Sequence, residues 1–397
     1  MGPQIAPKKN FSRKKVLLLV GLVLIFLLGL GAVVFRLYSH QEFEKFAQKL
    51  EGFSQQELSI LLATDKLEKQ LHDEFDAIIF KETGNLAENK KHLAKVEKIN
   101  AEMYKKQTDE YLPLVEREIT DVSQFLSRRR YLWLWGKEKE FLNIINSVSE
   151  AATKAKDADA IILEREKLIA EVSFTIQGDT IVYLGFVKDL DRLVTSTSAT
   201  TKALAPLKKY TTGYKFPGED QLKTLYPSFY KALANYKTLY DKTYEMFVAY
   251  AGGNYTKAYQ LSAEVTSISK RSFDMAIDWD PLNRPFFQAE LDAHVDGLSA
   301  VNLYKENKLG KVSFGSRRLA GLALVWASQL YALDHKDNYP QATNVDSAIK
   351  IFTEGKYLPT DFHFDQTTFS FSSSKTKYHL SFTDEITGEV ASFTLID

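Results

Sequence analysis

The 397-residue chain has no cysteine. That excludes a disulfide framework, a thiolate metal site and a cysteine nucleophile. It has no charge of one sign in excess either, with 51 Lys and Arg against 51 Asp and Glu. Such a balance argues against a strongly basic nucleic-acid binder and against an acidic disordered tail. Nor is there a Gly-rich phosphate loop, a His-Glu-x-x-His or a Gly-x-Ser-x-Gly elbow, so no motif argues for an enzyme. What remains is 45% hydrophobic and 13% aromatic, and long enough for two or three domains.

The zero net charge conceals an uneven distribution. Residues 1–36 carry Lys8, Lys9, Arg13, Lys14, Lys15 and Arg36 and no acid, which leaves the rest of the chain at −6. Between these cations lies an uncharged apolar run, Val16 to Phe35. As a helix it measures about 30 Å, the thickness of a bilayer's hydrocarbon core. The run is longer than a signal-peptide core and no small-x-small cleavage site follows it, so an uncleaved anchor is expected. Five cations precede it, which places a basic tail (1–15) in the cytoplasm, a transmembrane helix at 16–37 and the bulk of the chain outside the cell.

Beyond the span, apolar residues recur at gaps of three and four. Phe43, Phe46, Leu50, Phe53 and then Leu67, Leu71, Phe75 and Ile78 make one stripe, broken at Gly84-Asn85. A second stripe runs from Leu86 to Leu126 with a kink expected at Pro113, and a third from Phe141 to Val172 should end before Gly178. The spacing predicts a long antiparallel helical bundle over 38–177. The first helix leaves the membrane and runs about 64 Å. A second of similar length should bring Arg128, Arg129, Arg130, Tyr131, Trp133 and Trp135 back to the bilayer surface. Cations with aromatic rings suit headgroup depth; the alternative is a turn whose tryptophans fill the end of the bundle core.

A second helical domain is expected over 178–310. Its clearest stripe, Leu222, Leu225, Phe229, Leu233, Tyr236, Tyr240 and Phe247, stops at Gly252-Gly253, and a further helix is expected from Phe286 to Tyr304. The many tyrosines here can line a groove or sit as rim residues with wet hydroxyls. From 311 the pattern changes. One amphipathic helix (Leu319 to Leu333) ends before Pro340, and a short helix runs from Asn344 to Glu354. Alternating runs around Phe371, Leu380 and Phe393 then predict a three-stranded antiparallel meander.

The stretch Leu322 to Phe362, with Tyr331, Asp334, Tyr339, Pro340, Gly355, Tyr357, Leu358 and Pro359 at its signature places, resembles the globular part of type II secretion pseudopilins and type IV pilin-like proteins. The resemblance covers about a fifth of the chain. It implies that 311–397 is a pilin-like α+β domain of a bacterial envelope protein. Asp361, His363 and Asp365 alternate along an extended segment and would share one face. With Asp334 and Asp337 near in sequence they can hold a hard cation such as calcium, which some pseudopilins bind; solvated edge residues are the alternative. No other cofactor is expected.

The sequence thus predicts a mostly α protein with an N-terminal transmembrane helix, a long-helix extracytoplasmic bundle and a small C-terminal α+β domain with an antiparallel sheet. The expected role is that of a non-enzymatic structural or assembly component of the cell envelope. Its partners would be the lipid bilayer and other envelope proteins, not nucleic acid, with homo-oligomers formed through the long helices. A membrane-anchored sensor or small-ligand binder is the alternative.

Overall fold

Helix α1, Arg13–Asp76, runs 64 residues without a break, a rod of about 96 Å. The computed structural model describes residues 13–79, 84–188, 218–225, 227–273, 280–336, 338–375 and 377–396, with isolated positions between 202 and 215. Side chains of 13–28 lie outside the described part, and with them most of the run 16–35 expected to span a membrane. Among the described residues no helix is long and apolar enough to cross a membrane.

Asn85 starts α2, Leu86–Lys106, by accepting from the amides of Ala87 and Glu88. The kink expected at Pro113 takes the form of a π-helical turn, Gln107–Tyr111, that leads into α3, Leu112–Ser127. Proline has no N–H, and its ring presses on the carbonyl four residues back. The widened turn just before it relieves that pressure, with Leu112 donating five residues back to Gln107. A short 3-10 turn, Arg129–Trp133, precedes α4, Lys137–Lys188. Helix α4 does not stop at Gly178. A mid-helix glycine costs only about 1 kcal/mol, and Leu93 of α2 lies within packing distance of it.

Helices α5 (Glu219–Leu225), α6 (Pro227–Ala251) and α7 (Tyr255–Phe273) follow. Gly253, at φ +77°, turns α6 into α7 while Asn254 donates to the Ala249 carbonyl, a Schellman closure. Helix α8, Asp280–Glu306, begins earlier than the expected Phe286. Pro281 falls in its first turn, where a missing N–H costs nothing. It packs between α4 and α9, Ser316–Asp334.

At the C-terminal end the expected order appears. Asn344 and Ser347 form a capping box on α10, Val345–Glu354. Strands β1 (Ser370–Ser374), β2 (Lys377–Thr383) and β3 (Val390–Ile396) make an antiparallel meander. Phe371 faces Leu380, and Leu380 faces Phe393, across the two pairs. With Phe382 these residues pack on Leu322, Ala323 and Leu330 of α9. Gly321 permits that approach, because a Cβ there would collide with the Phe382 ring.

One buried charge joins the sheet to α1. Arg318 of α9 has no exposed surface. Its Nη1 donates to Glu51 Oε1 at 3.0 Å and to Ser54 at 3.3 Å, and its Nη2 lies 2.7 Å from Asp384 Oδ2. Glu51 also accepts the Gly315 amide, and Asp384 Oδ1 accepts the amides of Ile386 and Thr387. Burial works to raise the Asp384 carboxyl, but the Thr387 amide and the Arg318 guanidinium outweigh it and hold it below the usual value.

Replacing Arg318 by Leu leaves two buried carboxylates uncompensated. It should cost about 3–5 kcal/mol of stability, read by urea unfolding of the full chain at pH 7. The Asp384 contribution has a pH sign as well. With a folded value below the unfolded one near 4, it is complete above about pH 4 and lost as pH falls through the folded value. The loss between Arg318→Leu and wild type should therefore shrink in acid.

Candidate functional site

The stripe that buries α8 is interrupted by two ionisable residues, Glu290 and His294, one helical turn apart. Both are nearly inaccessible, His294 at 3% exposure. Helix α1 brings Glu57 against them, with its Oε1 3.3 Å from His294 Nε2. The π-helical turn before Pro113 directs Tyr111 to the same place, and its hydroxyl donates to Glu290 Oε1 at 2.5 Å. Helix α3 adds Glu118. These side chains line a cavity of about 80 Å³, lined otherwise by Leu114, Val115, Ile145, Val301 and their neighbours. Such a space has room for an ion and a few waters.

The tautomer of His294 follows from its backbone. Nδ1 sits 2.7 Å from the Glu290 carbonyl, an acceptor only, so Nδ1 carries a proton and Nε2 is the atom that faces Glu57. One ligand atom each from Glu57, Glu290 and His294 lie within 4.8 Å of one another. No lysine or arginine lines the cavity. Burial, reinforced by Glu57, therefore pushes Glu118 up to about 8. Burial also raises Glu290 against the pull of His294. For His294 burial works downward, but Glu57 and Glu290 outweigh it and lift the imidazole above its ordinary value. Carboxylates crowded this way must share protons or a cation.

The residues singled out from sequence lie elsewhere. Asp361, His363 and Asp365 do alternate outward, with Phe362 and Phe364 turned in. However, Asp365 is bound by the Arg317 guanidinium and by Thr367, and His363 Nδ1 contacts the Asp361 carbonyl. Asp334 is held by Arg284 and Tyr357; Asp337 lies outside the described residues. Among the described residues the grouping with metal-ligand spacing is Glu57, Glu290 and His294.

The Arg-Trp turn returns to residues 35–42 of α1. Trp133 packs at a tilt against Phe35, Trp135 lies under the Arg36 guanidinium at 4.6 Å, and Arg130 sits over Tyr38. Arg130 and Arg128 both approach Glu42, Tyr131 reaches Asn143, and Arg129 is exposed. The tryptophans do not fill the bundle end; Leu134 does, buried against Phe43 and Phe141, while Leu132 and Trp135 are 76% and 59% exposed. Of the tyrosines, Tyr250, Tyr255 and Tyr259 line a surface depression of about 400 Å³ between α6 and α7.

No family model, no curated protein and no solved structure matches this chain. The signal that would have revealed Glu290 and His294 is their place on an apolar helical stripe, where an unpaired charge is costly.

Asp159 of α4, also buried, adds to the local negative charge. Gln107 donates to it at 3.2 Å, and burial pushes its carboxyl up to about 6. A folded value above the unfolded one makes the native state bind the extra proton, so stability falls as pH rises from about 4 to about 6. Asp159→Asn keeps the acceptor and removes the charge. It should match wild type at pH 4 and exceed it by about 1–3 kcal/mol at pH 7 in urea unfolding.

Proposed function

We propose that this chain is a single-pass, membrane-anchored structural or assembly protein of the bacterial envelope. Its basic tail would be cytoplasmic and its helical body and C-terminal α+β module extracytoplasmic. The observation that carries the reading is the continuity of α1, one helix from Arg13 to Asp76. The apolar run 16–35 and the element on which the body packs are therefore the same rod. The Arg-Trp turn supports it: exposed Leu132 and Trp135 and the cations Arg128 and Arg129 lie beside the end of that run, the composition suited to headgroup depth. The pseudopilin resemblance of the C-terminal module suggests contact with secretion or pilus-like partners.

A sensor or small-ligand-binding role is the second reading. It is favoured by a groove of about 370 Å³ between α2 and α4, lined by Tyr104, Gln107, Leu163 and Phe174 among others, which falls within the size range of ligand sites.

The full chain expressed in bacterial cells should stay in the membrane fraction through alkaline carbonate and leave it only with detergent. Protease added to spheroplasts should remove the body and spare an N-terminal epitope. Recovery in the carbonate supernatant would sink the anchored reading. Crosslinked membranes should yield a defined set of envelope proteins; a ligand-induced thermal shift with no such set would favour the sensor.

A further inference from the structure

The cavity between α1, α3 and α8 gathers Glu57, Glu118, Glu290 and His294, and no lysine or arginine stands among the described residues that line it. We propose that it is a binding site for one divalent first-row metal ion, with Glu57, Glu290 and His294 as ligands and Glu118 as a third carboxylate within reach. This goes beyond the anchoring role and does not depend on it.

The geometry makes the case. His294 is buried, its Nδ1 proton is committed to the Glu290 carbonyl, and its Nε2 is turned into the cavity, where it pairs with Glu57. In the neutral ring, Nε2 and Glu57 Oε1 are both acceptors, 3.3 Å apart. Two ligand atoms each about 2.0–2.1 Å from one tetrahedral ion are separated by roughly that distance. The outer contacts have the form usual around a metal centre. The imidazole is oriented by a backbone carbonyl and Glu290 Oε1 by the Tyr111 hydroxyl, while Glu290 Oε2 lies 3.7 Å from His294 Nδ1. Glu118 makes no hydrogen bond or ion pair among the described residues while lining the same space. The cavity has room for an ion and a few waters.

The donor set selects the class of ion. An imidazole nitrogen disfavours calcium and magnesium, which take oxygen ligands. With no cysteine in the chain, soft-metal capture through thiolates is excluded. One imidazole with two or three carboxylates suits zinc, manganese or ferrous iron. Helix α1 supplies Glu57 and α8 supplies Glu290 and His294, with Glu118 of α3 beside them, so the ion would clamp the bundle where these helices meet.

The test uses the full-length chain in detergent, without a histidine tag, stripped by a chelator and dialysed. Titration with Zn²⁺, and separately Mn²⁺, should give one ion per chain at a Kd below about 10 µM, and a Tm rise of about 3 °C at a hundredfold excess over Kd. Glu57→Gln and His294→Gln should each weaken binding by about hundredfold or more, beyond the 10–100-fold typical of losing an outer contact. His363→Gln should change nothing. Should the His294 variant fail to fold, the zinc-edge X-ray absorption of the wild-type complex decides instead: a coordinated imidazole supports the site and an all-oxygen shell overturns it. Absence of binding, or binding unchanged in a folded Glu57→Gln or His294→Gln chain, also overturns it.

Discussion

A fully buried guanidinium is the constraint around which the C-terminal half is arranged. Arg318 cannot be desolvated alone, so a carboxylate from α1 and another from the β2–β3 turn must reach it. Each of those partners is tied to backbone in turn, Glu51 to the Gly315 amide and Asp384 to the amides of its own turn. Removing any one member strands the others. The sheet is thereby held to the long helix at a fixed height along it, and not by apolar contact alone, which has no such directional preference.

The second charged junction has the opposite balance. Around Arg318 two acids meet one permanent cation. Around His294 three acids meet a base that is charged only when protonated. In a low-dielectric interior an excess of carboxylates raises their proton affinity until the net charge is tolerable, as the upward shifts of Glu118 and Glu290 record. Such a cluster is poorly optimised for stability, and the π-helical turn that delivers Tyr111 adds a local distortion. Local rules are commonly broken at functional positions, and two of them are broken here at one point.

Much of the fold can be read from periodicity because its determinants are local. Asn85, Gly252-Gly253, Asn344 and Pro340 mark real boundaries, and the alternation through Phe371, Tyr378, Leu380 and Phe393 fixes the faces of the meander. Where packing overrides propensity the reading fails, as in the passage of α4 through Gly178 and the early start of α8. The site is harder still. Glu57 and His294 lie far apart in sequence, and a Glu four residues before a His reads equally well as an outer-face pair. Asp361, His363 and Asp365 stand together in sequence and do share a face, yet Arg317 takes one of them. Proximity in sequence was therefore a weak guide to which carboxylates lack a counter-charge.

Both junctions are made on the same helix. Glu51 and Glu57 are six residues apart, about 9 Å along α1, and lie about 24 and 33 Å beyond Phe35. Under the proposed anchoring, the sheet domain and the α8 cluster would thus be fixed at defined heights above the bilayer by one rod. The Arg-Trp turn braces the base of that rod, with Arg36 bound to the buried Glu138 and Arg130 to Glu42. A hinge at the membrane would need a break in α1 between Phe35 and Glu51. The paired residues Phe43, Phe46 and Leu50, packed on Phe125 and Phe141, oppose one there. The body is therefore built to hold its position relative to the apolar run, which suits a spacer or assembly platform better than a receptor that signals by bending.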